Sequence, residues 1–485
     1  MTTTMPRPNT GASISLVTTR PCRFKRPTLP VHAHKTRRSP MGQPPYRACL
    51  TTACLLIVCL PLVGLTATHA WGQQKPIALE GATVHTVSGA ILDPGVVVID
   101  PDTGRITAVG AAGTTTVPAG ATRIDLSGTQ ITPGLVAIDT QLGLVEIDLE
   151  KSTRDADAGG KDPIRAAFLA SDGFNPSSLT LPIARPGGIT SALIVPTGGL
   201  ISGQSAWIDL HDRGPNHARM VRDTIALHIH LGAQNGSPLG DSRGAAILRL
   251  RELFDDVSLY RDNNRSYTQR SLRELSASRL DLEALSQAQD AKRPTFWGAD
   301  RASDIIAALN LSKAFGLTPI IAGGAEAWRV LKPLKDAGAT VILNPLSNLP
   351  RSFDALGSRA DTATLLHKAS IPVVLAATYF NTHNARNLRQ VAGNAVRAGL
   401  PRDAALRAIT LAPATAVGMD KDYGSLDQGK VANLVVWSGD PFAFSSQVEQ
   451  LYIGGRRVSL DNRQQQLFER YRTIPRRQNV VAPAP

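Results

Sequence analysis

The sequence predicts an α/β protein with a central (β/α)8 TIM-like barrel and a small discontinuous β domain built from both ends of the mature chain. Short β-rich runs separated by turn residues precede Pro133 and return after Gly424. Between them, strand-like runs alternate with amphipathic helical stretches. This alternating part is roughly 280 residues long, and a single barrel of this type needs about 250.

The 485-residue chain therefore divides into four parts. Its composition, 42% hydrophobic and 19% charged, excludes a disordered, collagenous or disulfide-scaffold protein. The predicted parts are a basic lead and signal peptide, 1–72; a composite β domain, 73–133 plus 420–470; the TIM-like barrel, 134–419; and a disordered Pro-rich tail, 474–485.

Charge and cysteine are both concentrated at the beginning of the chain. The first 70 residues hold nine Lys or Arg and no Asp or Glu, so the remainder has 43 basic and 39 acidic residues, a net charge of +4. A nucleic-acid-binding function is therefore excluded. All four cysteines precede residue 60, which leaves no disulfide or thiolate metal site downstream.

The segment from Cys49 to Leu65 is an uncharged apolar run that follows Arg47 and precedes small residues. This order is typical of a secretory signal. We therefore expect a signal peptide at about residues 41–70 and export to the periplasm. The alternative is an uncleaved membrane anchor. The short run and its Pro61 favour cleavage over that alternative.

The first β region contains a hairpin pattern. Two extended apolar runs, Gly95–Ile99 and Arg105–Val109, flank the turn sequence Asp100–Gly104. The β texture returns near the other end at Ala432–Trp437 and Gln450–Ile453. We expect these distant segments to pair in one domain beside the barrel.

The barrel region shows buried strand-like runs separated by helical stretches of about three turns. Strands that alternate with helices of this length predict βαβ units and a parallel sheet, with the functional loops after the carboxyl ends of the strands. The predicted strands are Thr190–Val195, Ala226–Leu231, Pro294–Ala299, Thr318–Ala322, Ala339–Leu343 and Ile371–Ala377.

Several motifs in a fixed order carry a family resemblance. They are Ile131–Leu135 (ITPGL), Ile409–Ala414 (ITLAPA), Gly424–Lys430 (GSLDQGK), Ala432–Trp437 (ANLVVW) and Gly439–Pro441 (GDP). In this combination, over about residues 77–460, the chain resembles the amidohydrolase superfamily and specifically its imidazolonepropionase-like branch. The resemblance implies a hydrolase of non-peptide carbon–nitrogen bonds. It also implies one or two zinc-type divalent ions that activate water at the barrel mouth.

The metal-binding residues that this resemblance implies are replaced. Asp139 and Gln141 stand where the family has a His-x-His pair after the first barrel strand. No histidine occurs between His230 and His367, where further ligands are expected. The segment from Ala376 to Thr378 stands in place of the Gly-Thr-Asp type string at the last strand. We therefore predict a degenerate metal site.

His228 and His230 are the remaining candidate metal ligands. They form a His-x-His pair on a predicted strand, so both rings point to one face. The alternative is that both rings are packed in the core.

Other candidates fall just beyond predicted strands, where barrel loops form a polar mouth. For each of them the alternative role is a helix N-cap or a turn hydrogen bond. The catalytic candidates are Asp139, Asp300 and Glu326, and the ligand-pocket candidates are Gln141, Asn344, Thr378 and His383.

Two functional hypotheses follow. The first is an exported amidohydrolase-like hydrolase with a degenerate metal site. The second is a catalytically silent barrel that binds a small ligand or partners an active paralogue or a second copy of itself. The expected partners include no nucleic acid, and a membrane only through an uncleaved leader. A metal site would be favoured if the polar atoms of His228, His230 and one of the carboxylates lay close to a common point.

Overall fold

A computed structural model describes residues 74–159, 162–231, 242–377 and 382–473. The predicted leader, signal peptide and Pro-rich tail lie outside these ranges. Within them, no helix combines the length and the apolar character that crossing a membrane requires.

The described residues form strands distributed along the whole chain. They are β1 (Ile77–His85), β2 (Ile91–Asp100), β3 (Arg105–Ala111), β4 (Thr122–Asp125), β5 (Gln130–Pro133), β6 (Leu135–Thr140), β7 (Ile189–Ile194), β8 (Ile201–Gln204), β9 (Ala206–Leu210), β10 (Ala218–Arg222), β11 (Leu227–His230), β12 (Pro294–Ala299), β13 (Thr318–Gly323), β14 (Thr340–Leu343), β15 (Val373–Leu375), β16 (Leu434–Trp437), β17 (Val448–Ile453) and β18 (Arg456–Val458).

The helices are concentrated between β10 and β16. Two of the longer ones begin at serines whose hydroxyls accept backbone N–H groups, Ser242 from Ala245 and Ser278 from Asp281. The helices are α1 (Thr180–Ala184), α2 (Arg243–Asp262), α3 (Asn264–Thr268), α4 (Arg279–Asp290), α5 (Ala302–Phe315), α6 (Leu331–Asp336), α7 (Thr362–Lys368), α8 (Leu388–Arg397), α9 (Arg402–Arg407), α10 (Leu411–Ala416) and α11 (Arg463–Tyr471).

One sheet joins strands from both ends of the described chain. Its order is β18-β17-β16-β5-β1-β2-β3, and β4 pairs with β1. The two ends meet where β5 runs antiparallel to β16, and there the buried Trp437 Nε1 donates to Thr132 Oγ1 at 2.9 Å. The expected hairpin joins β2 to β3, and Gly104 supplies the left-handed φ of 71° that its turn requires.

Two further sheets contain the alternating part of the chain. The six-stranded sheet has the order β15-β14-β13-β12-β11-β8, in which β11 to β15 are parallel. The four-stranded sheet has the order β10-β9-β7-β6, and β6 is parallel to β7. The parallel strands are those that the sequence pattern indicates, whereas β8 and β9 pair antiparallel with their neighbours.

Main-chain hydrogen bonds connect these two sheets. Only Ser205 separates β8, in one sheet, from β9, in the other. On the far side, Val136 N of β6 donates to Ile409 O at 2.9 Å, and Leu375 N of β15 donates to Ala408 O at 3.0 Å. The two sheets are thus joined through Ser205 on one side and through residues 408–409 on the other, and their strands are not eight uniform parallel repeats.

Successive residues of the parallel strands belong to different apolar clusters. Ile320 and Ile342 lie in an inner cluster with Trp207 and Phe296, to which both sheets contribute. Their neighbour Ile321 belongs instead to the outer cluster, with residues of α2, α4 and α5. Both faces of these strands are therefore buried.

Candidate functional site

A cavity of about 600 Å³ opens beside the carboxyl ends of the parallel strands, with walls from β6, β11, β12, β13 and the loop after β14. Ligand sites of small molecules usually fall in this range of volume. The structure brings six of the sequence-predicted residues into its wall: Asp139, Gln141, His228, His230, Asp300 and Asn344.

Asp139, the penultimate residue of β6, has an unusual backbone conformation. Its φ is 55°, in the left-handed region, and the pairing of β6 with β7 is irregular between Ala137 and Thr140. Burial raises the pKa of the Asp139 carboxyl to about 6. No hydrogen bond from the described residues reaches that carboxyl, so its oxygens are free to contact a ligand or water in the cavity. Strained, desolvated groups of this kind are concentrated at functional sites.

His228 and His230 line the same cavity from β11. The His228 ring stacks on Phe296 with 4.4 Å between centroids. Burial lowers the pKa of both imidazoles, to about 4 for His230, and the neighbouring His230 lowers that of His228 further. Both rings are therefore neutral at pH 7. Each buried Nε2 lacks a hydrogen-bond partner in the part of the chain that the structure describes.

Gly298 on β12 leaves the space that the His230 ring occupies. A Cβ at this position would lie 2.4 Å from His230 Nδ1, closer than such atoms approach. The His228 ring therefore packs on Phe296, and the His230 ring occupies the space beside Gly298. The Nε2 atoms of both rings stay unpaired among the described residues.

The donor set does not fit a zinc-type ion. Structural and catalytic zinc sites need at least three protein ligands. Among the described residues, no three His, Cys, Asp or Glu side chains lie close enough together to hold a metal ion. Asp139 therefore does not complete a three-ligand group with His228 and His230.

Asp300 lines the cavity after β12 and is oriented by the neighbouring loop. Its Oδ1 accepts from Ala325 N at 3.1 Å, and a Cβ on Gly323 would come within 2.7 Å of the same oxygen. Burial raises the pKa of the Asp300 carboxyl, and the nearby Asp354 adds to this effect. The carboxylate does not cap α5, which was the alternative role for it.

Glu326, a predicted catalytic residue, lies outside the cavity wall. Its Oε2 accepts from Ala302 N, the first residue of α5, at 3.0 Å, and its Oε1 lies 3.7 Å from Arg329 Nε. The helix N-terminus presents unpaired N–H groups and a positive dipole end, so a carboxylate is stabilised there. The position of Glu326 thus supports a structural role.

Replacing Glu326 with Ala is expected to lower the free energy of unfolding by about 1 kcal/mol. The reason is that the backbone N–H of Ala302, at the start of α5, loses its side-chain acceptor. Urea unfolding followed by circular dichroism measures this loss. Glu326→Gln is the matched control, which keeps an acceptor without the charge and should lose less. Equal stability of wild type and Glu326→Ala would contradict the capping role.

The predicted ligand-pocket residues have different outcomes. Asn344 lines the cavity, but its Oδ1 also accepts from Leu346 N at 2.9 Å, as the turn interpretation predicts. His383 lies outside the cavity wall, which includes its neighbour Thr382 instead. Thr378 lies outside the described residues.

Sequence reasoning missed much of the cavity wall. The missed polar residues come from loops after strand carboxyl ends, and the long loop after β14 supplies most of them. The usable signal was the length of that loop, since long loops at this end of a barrel are often functional. The missed residues are Asp148, Thr197, Ser347, Arg351, Ser352, Asp354, Ser358 and Arg359.

Comparison with known proteins finds a local sequence similarity near the end of the described chain. Residues 369–459 match the amidohydrolase family. Amidohydrolase tasK from Hapsidospora irregularis is 36% identical over 72 residues, which cover 15% of this chain. The match spans only 7% of the length of that relative.

Solved structures share the fold over a much larger part of the chain. An amidohydrolase from Thermotoga maritima MSB8 aligns with a TM-score of 0.70 and 27% identity over 79% of this chain and 99% of its own. An adenosine deaminase from Xanthomonas campestris with bound zinc aligns with a TM-score of 0.50 and 16% identity over 82% of this chain and 99% of its own, a likeness of fold alone. Residues 369–459 are therefore similar to the amidohydrolase family, and the mixed α/β fold of the chain is similar to that of a solved amidohydrolase.

Proposed function

We propose that the protein is an exported hydrolase of carbon–nitrogen bonds other than peptide bonds. The observation that carries the proposal is the cavity beside the strand ends, lined by Asp139, His228 and His230, on a fold shared with amidohydrolases. The motif resemblance to the imidazolonepropionase-like branch favours small amides, cyclic ones included. Export is supported by the apolar run at residues 49–65 of the sequence.

The chemistry assigned to Asp139 is that of a general base. With a pKa of about 6, its carboxyl is mostly ionised at pH 7 and yet a better proton acceptor than an ordinary aspartate. It accepts a proton from water as the water oxygen attacks the amide carbonyl carbon. The carbon–nitrogen bond then breaks, and the proton passes to the leaving nitrogen.

The two histidines are assigned to substrate binding. Each neutral imidazole belongs to a residue of the cavity wall and has a buried, unpaired Nε2 that can act as a donor or an acceptor according to its tautomer. An amide presents one carbonyl acceptor and, when not fully substituted, one N–H donor, which matches this pair. Because the donor set does not fit a zinc-type ion, no step is assigned to a metal.

A second candidate function is ligand binding without turnover, alone or beside an active paralogue. The lack of a three-ligand group among the described residues favours it, since metal ions supply much of the rate enhancement in metal-assisted hydrolysis.

The test uses the exported protein, purified without chelator or affinity His tag. Amine release from a panel of cyclic and N-acetylated amides is measured, together with elemental analysis. Turnover without stoichiometric metal is the result expected. Saturable binding with no amine release would support the second candidate instead. About one equivalent of metal, lost in the His228→Ala and His230→Ala variants, would overturn the metal-free assignment.

A further inference from the structure

Exposed apolar side chains are concentrated beside the cavity. In the described ranges, thirteen large hydrophobic residues are exposed, and six of them lie in just two loops, 141–154 after β6 and 344–361 after β14. Single exposed hydrophobics are ordinary, but a group of this size usually marks a binding surface. We call these six the apolar rim: Ile147, Leu149, Leu346, Leu349, Phe353 and Leu356, which are 47% to 99% exposed.

The apolar rim is continuous with the cavity wall. Leu349 lines the cavity and is also 71% exposed to solvent. Asp148, which separates Ile147 from Leu149 in the sequence, lines it as well. A ligand chain that leaves the cavity on this side therefore passes directly onto apolar surface.

Both loops are fixed to the body of the barrel. In the loop after β14, Asp354 forms an ion pair with Arg243 of α2, and Trp328 Nε1 donates to Gly357 O at 2.9 Å. In the loop after β6, Thr382 Oγ1 donates to Val145 O at 3.1 Å. The apolar side chains thus stand on an anchored surface, which lowers the entropic cost of binding a ligand there.

Two of the charged side chains near the rim, Arg359 and Asp354, form ion pairs. Arg359 lies 2.7 Å from Asp361 through its Nη2, and its guanidinium also stacks on the Trp328 ring with 4.8 Å to the centroid. Asp354 forms an ion pair with Arg243. Neither Arg359 nor Asp354 therefore presents an unpaired charge to a ligand chain on the rim.

We propose that the ligand of this cavity is an amide that carries a long apolar acyl chain. The amide group contacts Asp139 and the two histidines, and the chain extends over the apolar rim. This inference rests on the proposed function and specifies its substrate class. Continuity between the cavity wall and the rim favours a single small ligand over a second protein chain, which would cover the mouth without entering it.

The experiment uses a series of N-acylglycine amides from acetyl to decanoyl, below the concentrations at which they form micelles. The measured quantity is kcat/KM, or Kd if there is no turnover, as a function of chain length. Each CH₂ buried on the rim is expected to improve it by about fourfold. Leu149→Ser and Phe353→Ser are expected to flatten this dependence. Leu248→Ser and Leu280→Ser, at exposed leucines of α2 and α4 away from the cavity wall, are matched controls that should keep it.

Four results would overturn the inference. Equal values for all chain lengths would reject the rim as a chain site while leaving the proposed function intact. A dependence on chain length that both rim variants retain would place the chain elsewhere. Loss of a dimer in the rim variants, with chain-length dependence unchanged, would make the rim an interface between copies. If no member of the series binds or is hydrolysed, the proposed function fails together with the inference.

Discussion

Asp139→Asn is expected to lower the turnover of a short N-acetyl amide at pH 7 by at least about 100-fold, the usual contribution of a general base. The carboxamide has nearly the same shape as the carboxyl but cannot accept the proton of the attacking water. Asparagine also tolerates the left-handed conformation at this position, where φ is 55°, so the end of β6 should keep its geometry. Initial rates of amine release measure the effect.

The pH profile separates a base from a merely structural aspartate. Burial raises the pKa of Asp139 to about 6, so the wild-type rate should rise between pH 5 and 7 and fall away as the carboxyl is protonated at lower pH. The Asn variant should lack this limb. The raised pKa also means that ionisation of Asp139 opposes folding, most fully above pH 6. The variant should therefore be at least as stable as wild type at pH 7. Wild-type turnover in a stable Asn variant would reject the role of Asp139.

Much of the fold could be predicted because its signals are local. Alternating apolar residues and turn sequences mark the hairpin of β2 and β3. Short buried runs mark β12 to β15, since a strand covered on both faces needs apolar residues at nearly every position. The pairing of β5 with β16 could be predicted as well, because both ends of the chain share the same β-rich pattern. The antiparallel direction of β8 and β9 could not be predicted, because the direction of a strand depends on partners that are distant in the sequence.

The site residues were harder to predict from the sequence, because residues at equivalent sequence positions make different contacts in the structure. Asp300 and Glu326 are both acidic residues that follow a parallel strand, yet of the two only Asp300 lines the cavity. The backbone N–H of Ala302 binds Glu326, whereas that of Ala325 binds Asp300. The two loops thus exchange acceptors in three dimensions, and no local pattern reveals which acid remains in the cavity wall.

Asp209 on β9 is the centre of a buried hydrogen-bond network that connects the four-stranded sheet to the segment before β16. It is 1% exposed. Its Oδ1 accepts from Ser191 Oγ at 2.7 Å and from Asn433 Nδ2 at 3.3 Å. Its Oδ2 accepts from Tyr423 OH at 3.0 Å and lies 3.4 Å from Arg219 Nη2. Burial raises the pKa of the Asp209 carboxyl, and these hydrogen bonds and Arg219 oppose that rise.

Asp209→Ala is expected to lower the free energy of unfolding by about 3–5 kcal/mol, as when one partner of a buried charged network is removed. The loss is large because Ser191, Tyr423 and Asn433 keep their buried polar groups but lose an acceptor. Urea unfolding of both proteins at pH 7 measures it. Asp209→Asn keeps one carbonyl acceptor and should cost less, which separates the effect of hydrogen bonding from that of volume. If the free energy of unfolding fell by less than about 1 kcal/mol in the Ala variant, water would replace the carboxylate. The network would then not hold the composite sheet to the strands that carry the cavity.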